Sequence, residues 1–112
     1  MGMIPAEAVR DPHKPVCIVH HVRVNTASVD TYRDYVLQHY IKPANRESGC
    51  EIYDVWQDTA DPLHFVVVEQ WATLAALEAH MQKPYVLAGL ARAREMQDGE
   101  MTSYFLSSTR AG

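Results

Sequence analysis

The order of the predicted elements indicates an α+β fold built around one antiparallel sheet. Alternating apolar residues predict strands, and spacings of three and four predict helices, in the order β-α-β-β-α-(α)-β. This is the split βαβ arrangement of ferredoxin-like domains, with four strands and helices on one face. The FVVV centre of the third strand is apolar on both faces, so the face without helices also needs a cover. We therefore expect a ferredoxin-like domain that forms a homodimer through its open sheet face.

Bulk composition limits the class of protein and of partner. The chain has 112 residues, which is enough for one domain with a modest core. Its 47% hydrophobic and 21% charged residues are typical of a globular protein, which excludes disordered and fibrous classes. The net charge is −4 and no run of Lys or Arg exists, so we expect no nucleic-acid or membrane partner. A small molecule or a second copy of the chain is the expected partner.

The start of the chain predicts a flexible arm and a cytoplasmic protein. Residues 1–15 hold three prolines and no periodicity, and the domain is expected over residues 16–108. The arm lacks the features of a signal peptide, and no apolar run reaches the roughly 18 residues that a membrane span needs. Cys17 and Cys50 fall in different strands without a CxxC motif, so we expect two free thiols.

The first strand and helix follow from two different periods. Residues 16–24 alternate, which places His20 in the middle of an apolar face and His21 on the opposite face. Ser28 is the candidate N-cap of helix 1. Pro43 leaves the end of this helix open between residues 40 and 45. The inward stripe of helix 1 is predicted to include Tyr32, His39 and Tyr40.

A hairpin and two helices follow. Strand 2 covers residues 50–57 and strand 3 covers residues 64–71, joined by turn-forming residues. In strand 2, Tyr53 faces inward, and Trp56 faces the expected dimer interface. The remaining predicted elements are helix 2 after a Thr73 cap, helix 3 from about Tyr85 to Met96, and a last strand from Thr102 to Ser108.

Two histidines are the candidate catalytic residues. His20 on its apolar strand face and His80 beside the core stripe of helix 2 could each act as a general base, since imidazole titrates near neutral pH. The alternative for both is a hydrogen-bonded core histidine. Glu69 shares a face with Trp71, so its buried carboxylate either pairs with a histidine or arginine or has a raised pKa and acts as an acid.

Aromatic residues are the candidate substrate-binding groups. Tyr53 and Trp71 could form flat walls for an aromatic substrate, with Tyr32, His39 and Tyr40 on the helix side; core packing is the alternative for all five. The histidines and Glu69 lack any short ligand spacing, so we expect no metal site.

Several segments resemble the antibiotic biosynthesis monooxygenase superfamily of dimeric α+β barrels. They are ESGCEIYDVWQD, FVVVEQW, ALEAH and PY, and the resemblance extends from Val16 to Leu106. Within the superfamily the chain is most similar to quinol monooxygenases and to the isomerase that degrades the processed autoinducer-2 signal. Its haem-degrading members rely on an Asn, a Trp and a His where this chain has His20, His80 and Leu90, so haem degradation is not expected.

The resemblance implies a monooxygenase that needs no cofactor and oxidises a small phenol, quinol or related aromatic compound with O₂. His20 or His80 would remove the phenolic proton, and the electron-rich anion would reduce oxygen. The sequence has no GxGxxG, phosphate loop, GxSxG or HExxH motif. One alternative is an isomerase of a small dicarbonyl or hydroxyketone, for which Lys42, Arg46 and Lys83 are the only cations available to a phosphorylated substrate. The other is a non-catalytic dimer that binds a small ligand.

Overall fold

Four antiparallel strands form one sheet in the order β2-β3-β1-β4. The computed structural model describes residues 11–110. Its strands are β1 (Val16–Arg23), β2 (Cys50–Gln57), β3 (His64–Trp71) and β4 (Thr102–Ser107). The predicted bounds of β2 and β3 are confirmed, and those of β1 and β4 differ by one residue. Most of the predicted N-terminal arm lies outside the described residues; near its end, the carbonyl of Pro12 accepts a hydrogen bond from the Leu74 amide.

The helices pack on one face of this sheet, which gives the predicted ferredoxin-like fold. They are α1 (Val29–Val36), α2 (Lys42–Ala44), α3 (Leu74–Met81) and α4 (Pro84–Met96). The Thr73 cap is confirmed, since its side chain accepts a hydrogen bond from the Ala76 amide at 3.2 Å. Ser28 precedes α1 but makes no side-chain cap, because a short 3₁₀ turn, Thr26–Ser28, leads directly into the helix. No helix among residues 11–110 is long and apolar enough to cross a bilayer.

A π-helical turn, Leu37–Ile41, joins α1 to α2. The amide of Lys42 bonds the carbonyl of Leu37, five residues back. Pro43 has no amide hydrogen to continue a regular helical ladder, and such irregular turns are frequent next to prolines and at functional sites. The turn leaves Tyr40 buried against α4, where its hydroxyl donates to the carbonyl of Val86 at 3.3 Å.

The two faces of the sheet differ sharply in exposure. The inner face and the helices enclose a core whose largest fully buried side chains include Trp71, Phe65 and Leu77. The outer face has no helix from residues 11–110 on it, and Trp56 there is 63% exposed. Three more large apolar side chains of this open sheet face are exposed, namely Ile52, Tyr104 and Leu106. The described part of a single chain therefore leaves an apolar surface uncovered.

Candidate active site

A cavity of about 270 Å³ lies between the inner face of the sheet and the helices. Aliphatic and aromatic side chains form most of its lining, which is typical of a site for a small organic ligand. Its polar lining groups are His20, Tyr32, Tyr40, Tyr53, Glu69, His80, Gln97 and Ser103.

The register of the sheet places three of these groups side by side. His20 in β1 is directly opposite Ser103 in β4, and Glu69 in β3 is opposite the residue two before His20. The Nε2 atom of His20 lies 2.7 Å from Oε2 of Glu69, and its Nδ1 atom lies 2.7 Å from Oγ of Ser103. Both ring nitrogens of His20 are therefore engaged.

Glu69 is held as a carboxylate. Its second oxygen, Oε1, accepts a hydrogen bond of 2.9 Å from the indole N–H of Trp71. Burial alone would raise the pKa of Glu69, but the hydrogen bond and charge of His20, together with the Trp71 bond, lower it below its ordinary value. The alternative of a protonated acid with a raised pKa is therefore wrong, and the predicted pairing with a histidine is what the structure contains.

The lowered pKa of Glu69 predicts how the free energy of unfolding changes at acid pH. Because the folded pKa lies below the ordinary 4.5, ionised Glu69 stabilises the fold above that pH, and this contribution is lost as the pH falls through the folded pKa. We expect Glu69→Gln to lose less stability than the parent as the pH falls below about 4.5, as measured by urea unfolding. The exposed Glu78→Gln variant is the control and should follow the parent. Parallel pH profiles for Glu69→Gln and the parent would contradict the prediction.

His80 belongs to a second dyad with a different geometry. Its Nδ1 atom lies 2.6 Å from Oε2 of Glu47, in the turn before β2, and the Tyr85 hydroxyl donates to the same carboxylate. A carboxylate at Nδ1 favours the tautomer with the proton on that nitrogen. The Nε2 atom has no hydrogen-bond partner among residues 11–110, although no sealed polar side-chain atom of that range lacks one. Nε2 is therefore open and unpartnered within this range, and His80 is one of the residues that line the cavity.

Trp71 contacts both histidine–glutamate pairs, His20–Glu69 and His80–Glu47, from behind the cavity. Its ring lies 4.4 Å from that of His80, centroid to centroid, while its N–H bonds Glu69. Trp71 is 0% exposed and does not line the cavity, so its predicted role as a substrate wall is wrong in placement. Next to β3 in the sheet, Tyr53 of β2 does line the cavity and has its ring parallel to Tyr40, at 6.1 Å.

Two tyrosine hydroxyls are available to a ligand. Neither Tyr32 nor Tyr53 makes a side-chain hydrogen bond within the described part of the chain, and neither hydroxyl is sealed from the cavity. Burial raises the pKa of Tyr32 to about 12 and that of Tyr53 well above its ordinary value. Both groups therefore stay protonated and can donate to a bound oxygen atom.

Six of the eight predicted site residues meet at this cavity, and three partners were missed. His39 is the second misplaced residue: it is exposed and stacks on Tyr35, because consecutive residues of a helical turn point in different directions and Tyr40 takes the inward one. The missed residues are Glu47, Tyr85 and Ser103. Only Ser103 had a local signal, since it alternates with the inward Phe105 in β4.

The charge of the cavity restricts its ligand. No Lys or Arg of the described range lines it. Lys42, Arg46 and Lys83 are not among its lining residues, so a phosphate group in the cavity would meet none of these three cations. Among residues 11–110, no group of three or more His, Cys, Asp or Glu side chains is arranged to hold a metal ion. With the Glu69 carboxylate on its wall, the cavity favours a neutral ligand over an anion.

Comparison with known proteins places the chain in a family. The model of the antibiotic biosynthesis monooxygenase family matches residues 15–92. An uncharacterized protein of Synechocystis is 29% identical over 82 residues, covering 71% of this chain and 54% of the relative, so the chain spans about half the length of the curated relative it matches.

Solved structures support the same fold. A Caulobacter crescentus protein named for antibiotic biosynthesis monooxygenases superposes with a TM-score of 0.81 at 20% identity, covering 89% of this chain and 94% of its own. The Mycobacterium tuberculosis protein Rv0793 gives 0.79 at 20% identity, covering 88% and 98%. At such identities the structures show the fold alone, while the family model covers most of the chain. The chain belongs to the antibiotic biosynthesis monooxygenase family.

Proposed function

We propose that this protein is a monooxygenase that needs no cofactor and oxidises a small neutral phenol or quinol with O₂. The observation that carries the proposal is the open Nε2 atom of His80, held in an apolar cavity by a carboxylate on its other nitrogen. This arrangement is that of a general base whose tautomer and orientation are fixed by a dyad. Family membership supports the reaction class.

His80, rather than His20, is the proposed base. Its Nε2 lone pair is free to take a phenolic proton, and the imidazolium that forms faces the Glu47 carboxylate. Both nitrogens of His20 are engaged within the protein, by Glu69 and Ser103, so neither is free to take a proton directly from the phenol. The hydroxyls of Tyr32 and Tyr53 are the proposed donors that bind the phenolate oxygen, and the flat ring of Tyr53 contacts the substrate ring.

The oxygen step uses only the electrons of the substrate. The phenolate transfers one electron to O₂, and the two radicals combine to form a carbon–oxygen bond on the ring. His80 returns its proton to the resulting peroxide, whose O–O bond breaks as a ring hydrogen leaves as a proton, giving a quinone and one water. The net reaction consumes one phenol and one O₂, so atoms and electrons balance without a cofactor.

An isomerase of a small dicarbonyl or hydroxyketone is the second candidate. It requires groups that remove and return a proton, and the two histidine–glutamate dyads at one cavity are such groups. Two observations weigh against it: neither nitrogen of His20 is free to act on a ligand directly, and no cation among residues 11–110 lines the cavity to bind a phosphorylated substrate. Under the third reading, a binding dimer, the cavity would hold an apolar ligand unchanged.

Oxygen uptake tests the proposal directly. Metal-stripped protein is mixed with a panel of phenols and quinols in an oxygen-electrode cell, and products are analysed by mass spectrometry in ¹⁸O₂. We expect uptake above autoxidation for at least one compound, with one O₂ consumed and one ¹⁸O atom incorporated per quinone formed. No uptake above autoxidation across the panel would overturn the proposal and favour the isomerase or the binding dimer.

The open sheet face is the proposed homodimer interface. It exposes Trp56 and neighbouring apolar side chains on strands whose inner face is already covered. We expect Trp56→Asp to raise the dissociation constant of the dimer at least about 30-fold, because losing a buried aromatic anchor costs about 2 kcal/mol of binding free energy. Light scattering over a range of protein concentrations measures this constant. Leu87→Asp on the exposed side of α4 is the control and should leave the dimer intact. A monomeric parent, or an unaffected Trp56→Asp dimer, would contradict this assignment.

A further inference from the structure

Three cavity residues outside the His80–Glu47 pair are linked to one another by hydrogen bonds. We propose that Ser103, His20 and Glu69 are a nucleophilic triad, and that the protein hydrolyses small neutral carboxylic esters that fit the cavity. This activity is separate from the oxygen chemistry, which uses His80.

The distances are those that a nucleophile, its base and an orienting carboxylate require. Oγ of Ser103 lies 2.7 Å from Nδ1 of His20, and Nε2 of His20 lies 2.7 Å from the Glu69 carboxylate. Serine triads are recognised by the roles and mutual geometry of their members and not by position in the sequence, so the missing GxSxG motif does not argue against one. The ring nitrogens are exchanged relative to the usual triad, since Ser103 faces Nδ1 and Glu69 faces Nε2. The carboxylate favours a proton on Nε2, which leaves the Nδ1 lone pair facing the Ser103 hydroxyl.

The pairing of the strands and the hydrogen bond from Trp71 hold these three side chains in place. His20 and Ser103 are directly paired across β1 and β4, and Glu69 lies on the strand at the other side of β1. Glu69 is 6% exposed and is fixed through its second oxygen by Trp71. A base that is preorganised in this way loses little free energy to reorientation during the reaction.

The cavity supplies the other needs of ester chemistry. Ser103 lines the cavity, so its hydroxyl is reachable from the space that holds the ligand. The hydroxyls of Tyr32 and Tyr53 open into the same cavity and have no other hydrogen-bond partner among the described residues, so they are candidate donors to an oxyanion. An apolar lining without Lys or Arg fits a neutral ester of modest size, and not a phosphate ester or a free acid.

Each step is complete with the ester and water. The Ser103 oxygen attacks the ester carbonyl carbon, and the hydroxyl proton passes to Nδ1 of His20. The bond to the alcohol oxygen then breaks, and the alcohol leaves with that proton. Water attacks the acyl-serine, gives a proton to His20, and releases the carboxylic acid as Ser103 regains its hydrogen. The Glu69 carboxylate faces the imidazolium formed in both halves of the cycle.

A purely structural role for the same contacts makes the opposite prediction. Hydrogen bonds from His20 to its two neighbouring strands would then serve only to fasten β4 to β1, and Ser103 would have the low reactivity of an ordinary serine. Covalent labelling therefore separates the two roles.

The test uses the full-length chain with a fluorophosphonate probe and with p-nitrophenyl acetate. We expect one phosphonyl group per chain, located on Ser103 by peptide mass spectrometry, and release of p-nitrophenol that this probe blocks. Ser103→Ala should abolish both, and His20→Gln should slow labelling at least about 100-fold, the usual loss for a general base. The exposed Ser107→Ala variant on the same strand is the control and should react like the parent.

Three results would overturn the proposal: no label on Ser103, label at another residue, or an unchanged rate in Ser103→Ala. Circular dichroism and the urea midpoint establish that the variants are folded. If His20→Gln does not fold, Ser103→Ala decides alone, because it removes a single oxygen atom from a half-buried position.

Discussion

Replacing His80 by glutamine is expected to lower the kcat for oxygen consumption by about 10²–10⁴-fold, the usual contribution of a general base. Glutamine fills a similar volume and can still bond the Glu47 carboxylate, but it has no lone pair that accepts a proton near neutral pH. The measurement is the oxygen-electrode rate with the best phenol or quinol at saturating concentration. The KM should change little, because the substrate ring and hydroxyl are held by other groups.

A matched histidine variant makes this result interpretable. His39→Gln changes an exposed histidine outside the cavity and should retain the parent rate. Glu47→Gln should give an intermediate loss of about 10–100-fold, since it removes the charge that orients His80 and stabilises its imidazolium but leaves the base itself. Full activity in His80→Gln would exclude His80 as the base and return the question to His20.

Replacing Gly49 by alanine is expected to reduce the free energy of unfolding by about 3 kcal/mol. Gly49 has a φ of +84°, in the left-handed region, where an L-residue costs about 1–2 kcal/mol. A Cβ atom at this position would also lie 2.6 Å from Cβ of Ala76 in α3, which adds an overpacking cost of about 1–3 kcal/mol. The turn at Gly49 cannot relax freely, because its carbonyl accepts a hydrogen bond of 2.7 Å from Ala72.

A matched variant at Gly99 separates the cost of the left-handed backbone from the cost of the close approach to Ala76. Its φ of +87° is nearly identical, but a Cβ there would have no heavy atom within 4 Å. Gly99→Ala should therefore show only the conformational cost of about 1–2 kcal/mol in urea unfolding. Equal losses in the two variants would show that the approach of Ala76 has no effect on stability.

The sheet could be predicted from the sequence because its signals are local. Alternation within β1 placed His20 on the buried face, and the turn formers between β2 and β3 fixed a hairpin with correct ends. The same period of two placed Glu69 on the inner face, where the cost of burying a lone carboxylate required a partner.

The partners themselves depend on register and packing, which no local pattern encodes. Ser103 meets His20 only because β4 pairs with β1 at that offset, 83 residues along the chain. Glu47 meets His80 only through the docking of α3 against the turn before β2. His39 and Trp71 have side chains that suit a pocket, but neither lines the cavity. His39 points outward from its helical turn, and Trp71 is fully buried at the end of β3.

The position of β4 at the edge of the sheet bears on the lifetime of the Ser103 contact. Among residues 11–110 the strand pairs only with β1, and its other side has no neighbouring strand from this range. Edge strands open by local unfolding more readily than central ones, so the amides of β4 should exchange with deuterium before those of β1 and β3. Each opening would separate Ser103 from His20 while leaving Glu69 and the His80 dyad in place. Hydrogen exchange in this one strand would thus report how often the cavity holds its complete set of polar groups.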